Sequence, residues 1–178
     1  EDGGQTWTEK PPACNNYTRD VFFVDVTTGW AVGDQIWNTI DGGETWKEIL
    51  VDPPADIHSM YFIDENRGWV AGGNGLVMYT PDGGETWNRQ FIQFNGTINK
   101  IQFSDASRGW MVGDKGKIFF TRDGGKNWIE KPSGCSNNLH DIRFTSRNKG
   151  WIVGDNQTIL STLDGWGKQE NEINKELY

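Results

Sequence analysis

The sequence predicts an all-β fold, a small β-propeller of four blades. One motif returns along the chain at a nearly fixed spacing, and short alternating segments without helical periodicity lie between Gly- and Asp-rich turns. The motif reads "TIDGGETW" from Thr39, and its aspartates, at positions 2, 41, 82, 123 and 164, are separated by 39, 41, 41 and 41 residues. A fixed period near 40 indicates one supersecondary unit stacked several times.

Each unit contains the signals of four short strands. In the third unit, Ile101 and Phe103 alternate with polar residues, "GWMVG" follows a turn, and "KIFFT" and "NWIEK" flank the repeated motif. Four antiparallel strands in about 40 residues are typical of a propeller blade. The predicted blades cover approximately residues 19–50, 57–92, 97–131 and 139–165.

The repeated turn has a structural explanation. An aspartate side chain accepts hydrogen bonds from nearby backbone N–H groups, and the two glycines adopt backbone angles that other residues avoid. The tryptophan that ends the motif then folds over the blade. This structural role is predicted for Asp41, Asp82, Asp123, Asp164, Trp46, Trp87 and Trp128.

The pattern Ser/Thr-x-Asp-x-Gly-x-Thr-Trp is the Asp-box, or BNR repeat. Together with the upstream "F-x-D-x-x-x-G-W-x-V-G", it resembles the photosystem II stability and assembly factor family and its bacterial relatives over residues ~20–165. The resemblance implies a non-catalytic scaffold that binds a protein partner within a larger complex, outside the cytoplasm. The photosynthetic members have seven blades and an arginine-rich docking patch, whereas this chain has four repeats and scattered arginines.

The ends of the repeat array suggest how a ring closes. After Asp164 the sequence lacks the expected Thr and Trp, whereas "GGQTWTEK" near the N-terminus carries the turn and an outer strand without a preceding blade. Residues 5–10 are therefore predicted to complete the fourth blade, giving a propeller over residues 1–166 and a charged tail over 167–178. The alternative is an open half-ring that pairs with a second copy or a missing segment.

Two cysteines occupy matching places after outer strands. Cys14 lies in "KPPACNNYT" and Cys135 in "KPSGCSNNL", two loops that become neighbours in a closed four-bladed ring. A disulfide between them predicts a periplasmic, lumenal or secreted location, because such bonds persist in oxidising compartments. Two free thiols in a reducing compartment are the alternative.

Composition narrows the range of partners. The formal charge is −8 and no basic stripe is visible, which argues against nucleic acid because phosphate binding needs clustered Lys and Arg. No apolar run approaches the ~20 residues of a membrane span, so direct membrane insertion is not expected. No cofactor motif is present, and none is predicted.

Aligning the units on Phe23, Phe62, Phe103 and Phe144 places Arg19, His58, Asn99 and His140 at one equivalent position near the propeller axis. We expect them to line the mouth of a wet channel, since two histidines alone make a poor metal site. No pair of carboxylates departs from the repeat pattern, so no catalytic residue is assigned. A degenerate, sialidase-like glycosidase or a carbohydrate-binding module remains an alternative function.

The loops between blades break the repeat and gather on one face. Among them, Phe91, Ile92 and Phe94 form an apolar cluster that a turn does not require, and they are the predicted partner-binding residues. Burial beneath their own loop is the competing explanation. Aromatic residues exposed at the channel mouth would instead favour a sugar ligand.

Overall fold

The computed structural model describes residues 4–10, 17–51 and 55–164. These residues form four antiparallel sheets that follow one another along the chain, each with its strands in sequence order. The first sheet comprises β1 (Thr18–Phe23), β2 (Gly29–Gly33), β3 (Ile36–Thr39) and β4 (Lys47–Ile49), and the second β5 (Ile57–Phe62), β6 (Gly68–Gly72), β7 (Val77–Thr80) and β8 (Asn88–Gln90). The third comprises β9 (Ile98–Phe103), β10 (Gly109–Gly113), β11 (Ile118–Thr121) and β12 (Ile129–Lys131), and the fourth β13 (Leu139–Phe144), β14 (Gly150–Gly154) and β15 (Thr158–Thr162).

The sheets stack face to face as propeller blades, with the first strand of each blade innermost. The inner strands β1, β5, β9 and β13 contact one another in that order. Two short 3₁₀ turns, Gly73–Gly75 and Asp114–Gly116, join the second and third strands of the middle blades. The all-β architecture confirms the predicted fold class.

Three hydrophobic cores lie between successive blades. Trp30 of the first blade stacks on Phe62 of the second at 3.8 Å between ring centroids, Trp69 stacks on Phe103 at 4.1 Å, and Trp110 stacks on Phe144 at 3.7 Å. All three tryptophans are buried. The "GW" of each of the first three repeats therefore supplies one face of a core, and the inner-strand phenylalanine of the next blade supplies the other.

The same phenylalanine explains the first glycine of "GWxVG". A Cβ at Gly29, Gly68, Gly109 or Gly150 would overlap the ring of the phenylalanine directly opposite on the inner strand. An aromatic ring thus covers the backbone at this position in every blade, and each core begins at the turn between the first two strands.

The described residues form no closed ring, so the predicted closure by the N-terminal strand stays a prediction. The fourth sheet has three strands among the described residues. Residues 6–10 carry no strand, and Lys10 forms an ion pair with Glu44 on the first blade. The segment therefore lies against the first blade, because that contact holds its C-terminal end away from the fourth.

Two further predictions fall on residues outside the description. Cys14 is one of them, so the disulfide to the partly buried Cys135 stays a prediction. The tail at 167–178 is the other. In the part of the chain that the structure describes, no helix is long and apolar enough to cross a membrane.

Candidate functional site: the axial rim

The repeated turns have the geometry that the motif requires. Asp82 accepts hydrogen bonds from the Thr86 backbone N–H at 2.8 Å and hydroxyl at 2.6 Å, and from the Thr80 hydroxyl at 2.8 Å. The Thr80 hydroxyl in turn accepts from the buried N–H of Gly84 at 2.7 Å. Matching bonds surround Asp41 and Asp123, with Asn127 replacing threonine at the third turn.

These hydrogen bonds hold the aspartates in their charged form. The Thr45 hydroxyl and backbone N–H, together with the Thr39 hydroxyl, lower the pKa of Asp41 to about 2. Thr86 lowers the pKa of Asp82 in the same way. The tryptophans that end the motifs stand edge-on to the inner-strand phenylalanine of their own blade, with centroid distances of 6.2 Å for Trp46, 6.3 Å for Trp87 and 5.9 Å for Trp128.

The four residues predicted at the channel mouth share an unusual backbone position. In each inner strand the register with the second strand skips one residue: Arg19, His58, Asn99 and His140. Each is therefore the extra residue of a β-bulge. Bulges redirect a side chain out of the regular alternation of a strand and are common beside functional sites. We call these four residues the axial rim.

The second glycine of "GWxVG" makes the bulge possible. A Cβ at Gly33, Gly72, Gly113 or Gly154 would overlap the carbonyl oxygen of the residue that precedes the inner strand. Backbone therefore approaches backbone here more closely than a side chain allows. The glycine and the bulge lie opposite each other in every blade, so the motif positions the rim as well as the core.

Acidic partners hold three of the four rim side chains in place, and the Asn99 amide donates to the Leu139 carbonyl at 2.9 Å. Arg19 Nη2 lies 3.1 Å from Asp56 Oδ1, and His58 Nε2 lies 2.9 Å from Asp56 Oδ2. Burial acts to raise the pKa of Asp56, but the hydrogen bond and charge of His58 and the charge of Arg19 outweigh it and lower the pKa. His140 Nε2 contacts Asp155 Oδ1 at 2.5 Å.

Just inside the rim, one carboxylate joins three blades. Asp20 Oδ2 accepts from the Ser59 hydroxyl at 3.1 Å, the Met60 N–H at 3.1 Å and the Lys100 ammonium at 2.9 Å. The Ser59 hydroxyl accepts from the Ile101 N–H at 3.3 Å. The inner strands are thus tied together by side chains that differ from blade to blade.

The described histidines are not grouped with enough other side chains to bind a metal ion. Each histidine pairs with its own aspartate, and nowhere in residues 4–10, 17–51 and 55–164 do three or more His, Cys, Asp or Glu side chains form a group able to hold a metal ion. The rim is therefore a strip of hydrogen-bond donors and acceptors. Such a strip can form hydrogen bonds with a polar ligand.

The apolar cluster predicted for partner binding divides in two. Ile92 and Phe94 pack against the core between the second and third blades, and the Phe94 ring lies 5.8 Å from that of Phe119. Phe91 is 91% exposed. Its loop leads into the third inner strand, so Phe91 lies on the face of the propeller that carries the rim.

The stacked four-stranded blades and aspartate-pinned turns define a β-propeller of the Asp-box class. A family model described as photosynthesis system II assembly factor YCF48 matches residues 3–93. That match covers just over half of the 178 residues, and the chain belongs to the YCF48 family.

Solved structures agree with this assignment at the level of the fold. A structure of YCF48 bound to D1 peptide has a TM-score of 0.58 and 23% identity, covering 81% of this chain and 64% of that one. YCF48 from Cyanidioschyzon merolae has a TM-score of 0.69 and 20% identity, covering 85% and 52%. The chain thus spans between one half and two thirds of these two YCF48 chains.

A glycoside hydrolase shares the architecture. An ancestral GH74 enzyme has a TM-score of 0.57 and 16% identity, covering 83% of this chain and 25% of its own. Comparison with proteins of curated function gave no match. At these identities the solved structures establish the fold alone.

Proposed function

We propose that this chain is a non-catalytic scaffold that binds a polypeptide segment of a larger complex, in the manner of photosystem II assembly factors. Membership of the YCF48 family supports a role in assembly. The YCF48 structure bound to D1 peptide supports a polypeptide as the kind of ligand. The observation that carries the proposal is the axial rim.

The rim suits an extended peptide for a geometric reason. Its four side chains project from one end of four adjacent inner strands, and none of them belongs to the three hydrophobic cores. They offer guanidinium, imidazole and amide groups beside carboxylates, so both the N–H and the C=O groups of a peptide find partners. Phe91, on the same face, supplies an apolar contact for a side chain of the bound segment.

Electrostatics supports binding rather than hydrolysis. A glycosidase needs a carboxylic acid whose pKa is raised, flanking the bond that breaks. At Asp56, the carboxylate beside the rim, His58 and Arg19 instead outweigh burial and lower the pKa. The Arg19 guanidinium also lies over one face of the Tyr17 ring, 4.8 Å from its centroid, so that face is not free to stack on a sugar. Likeness to the GH74 enzymes therefore supports a shared fold only.

The location proposed for this function is outside the cytoplasm, in a periplasm, a thylakoid lumen or a secreted environment. The predicted Cys14–Cys135 bridge supports it, because a structural disulfide needs an oxidising compartment. Comparing intact masses after alkylation, with and without prior reduction, tests the bridge. A mass increase only after reduction supports it, and alkylation without reduction contradicts it.

Binding is tested with overlapping peptides tiled across the D1 protein, using fluorescence anisotropy against the 178-residue chain. We expect saturable binding to a small subset of the peptides, weakened at least tenfold in an Arg19→Ala, His58→Ala variant. Arg147→Ala is the matched control, because Arg147 lies in the turn at the opposite end of an inner strand, near Asp105. Phe91→Ser tests the apolar contact separately. Equal binding by all variants would exclude the rim as the site.

A further inference from the structure

The two ends of the blade array expose residues that are buried everywhere between blades. On the first blade, Val21 is 54% exposed, whereas its equivalents Met60 and Ile101 are at most 1% exposed. On the fourth blade, Ile159 is 71% exposed, whereas its equivalents in the other three third strands are fully buried. The terminal faces therefore have the chemistry of a blade–blade interface, and no described residue range supplies a blade that covers them.

The fourth blade also has an apolar cleft where the other blades hold a tryptophan. Trp87 and Trp128 pack edge-on to the phenylalanine of their own blade, but Gln169 stands at the corresponding sequence position of the fourth repeat. Among the described residues, a shallow apolar surface cleft lies there, lined in part by Ile142, Phe144, Leu160 and Thr162. Phe144 is the equivalent of Phe62 and Phe103, so the cleft offers the same aromatic edge.

The N-terminal segment carries the missing parts. "GGQTWTEK" repeats the "GGKNWIEK" that forms the outer strand of the third blade, and it places Trp7 where that strand has Trp128. Trp7 is 91% exposed, whereas the tryptophans at the ends of the other three motifs are partly buried. Burying a ring of this size is favourable, because it removes a large apolar surface from water.

We infer that two copies of this chain pair head to tail, and that residues 5–10 of each copy form the outer strand of the fourth blade of the other. The register of the third blade fixes the pairing: Glu130 faces Phe119 and Lys131 faces Ile118. By equivalence, Glu9 faces Leu160 and Lys10 faces Ile159 across the two copies. Trp7 then occupies the cleft beside Phe144.

A second copy is the occupant because the segment lies at the wrong end of its own array. Lys10 is paired with Glu44 on the first blade, and the second and third blades separate that blade from the fourth. In a head-to-tail pair, the first blade of one copy stacks on the fourth blade of the other, so each segment arrives beside the edge that it completes. Val21 and Phe23 of one copy then cover Val153 and Ile159 of the other.

The polar contacts of the internal junctions can repeat at this new junction. Asp20 accepts the Met60 N–H of the following blade, and Asp141 stands at the position equivalent to Asp20 in the fourth blade. Its second carboxylate oxygen can accept the Val21 N–H of the second copy, in place of the bond that this N–H donates to Asp20 of its own chain. Two copies give eight blades, within the range of four to eight that closed propellers adopt, and a head-to-tail contact forms a ring when its rotation closes.

The experiment is light scattering coupled to size exclusion over a concentration series. We expect a mass of 40.4 kDa, twice the 20.2 kDa of one chain. Ile159→Asp and Trp7→Ala should each shift the mass toward 20.2 kDa. Ile40→Asp is the control, because Ile40 is equally exposed but lies in the first repeated turn, away from both terminal faces.

Mixing two variants distinguishes a head-to-tail contact from any other dimer. Phe23→Asp blocks the first-blade face and Ile159→Asp blocks the fourth-blade face, so each variant alone should be a monomer. Mixed, they retain one intact junction and should form a heterodimer. Circular dichroism checks that each variant stays folded. The inference is contradicted if the wild type is a monomer at every concentration, as it would be if the ring closed within one chain or if residues 165–178 covered the fourth blade. It is also contradicted by a dimer that survives both Trp7→Ala and Ile159→Asp.

Discussion

Thr80→Val tests whether the repeated turn is held by the hydroxyl of its first residue. Thr80 is fully buried, donates to the Asp82 carboxylate and accepts from the Gly84 N–H. Valine keeps the branched shape of the side chain and removes only the hydroxyl. The Gly84 N–H is itself buried, so water cannot replace the lost acceptor.

The magnitude follows mainly from these two bonds, since a third bond, which the hydroxyl accepts from the Asp82 N–H at 3.3 Å, is the longest. A buried N–H without a partner costs about 1–3 kcal/mol. Loss of the bond to Asp82 adds about 1 kcal/mol, because Thr86 still donates twice to that carboxylate. We therefore expect Thr80→Val to lower the free energy of unfolding by roughly 2–4 kcal/mol.

Urea unfolding followed by tryptophan fluorescence measures the change, with the midpoint shifting and the slope unchanged. Thr162→Val is the matched control, since Thr162 makes the same bond to Asp164 at 2.9 Å but is partly exposed. We expect the control to lose less than about 1 kcal/mol because water replaces the hydroxyl. Equal losses at the two positions would refute the argument that burial of the turn sets the cost.

Three further changes test other parts of the structure. The pKa of Asp41 is lowered to about 2 from an ordinary 3.8. The stability that the charged carboxylate contributes is therefore complete above pH ~4 and is lost as the pH falls toward 2. The melting temperature should fall in that window, and it should fall less in Asp41→Asn. Gly116→Ala and Gly134→Ala both place a side chain at positive φ, but only the first overlaps the carbonyl oxygen of Cys135. In chemical denaturation, Gly116→Ala should therefore lower the free energy of unfolding by about 2 kcal/mol or more beyond Gly134→Ala. Asp20→Ala leaves three donors from two blades without their acceptor, and it should cost about 2–3 kcal/mol of unfolding free energy in the same assay. Lys100→Met should cost about 1 kcal/mol or less. The reverse order would show that the ion pair contributes more than the other two hydrogen bonds.

The sequence alone predicts the repeat because the same local turn, held by the same residue types, occurs in every blade. The spacing of Asp41, Asp82 and Asp123 indicates both the blade length and the turn, since an aspartate followed by two glycines has few other uses in a strand-rich chain. The alignment on the inner-strand phenylalanines also brings the four rim residues to one position. What that alignment misses is the bulge, although the second glycine of "GWxVG" marks it in each repeat.

Properties that depend on contacts between distant parts of the chain are less predictable. Ile92 and Phe94 read as a surface cluster because nothing local shows that they turn toward Phe119, a residue of the next blade. Asp56 was not singled out, although it holds both Arg19 and His58. Ring closure by residues 5–10 stays a prediction for the same reason, since the distance between the first and fourth blades depends on the rotation of every blade between them.

The most direct test of the proposed function is the comparison of Arg19→Ala, His58→Ala with Arg147→Ala in the peptide titration. The axial rim predicts that the double variant loses at least tenfold in affinity for the peptide that the wild type binds best, while Arg147→Ala binds as the wild type does. Unchanged affinity in the double variant, with its fold intact by circular dichroism, would contradict a rim that binds polypeptide.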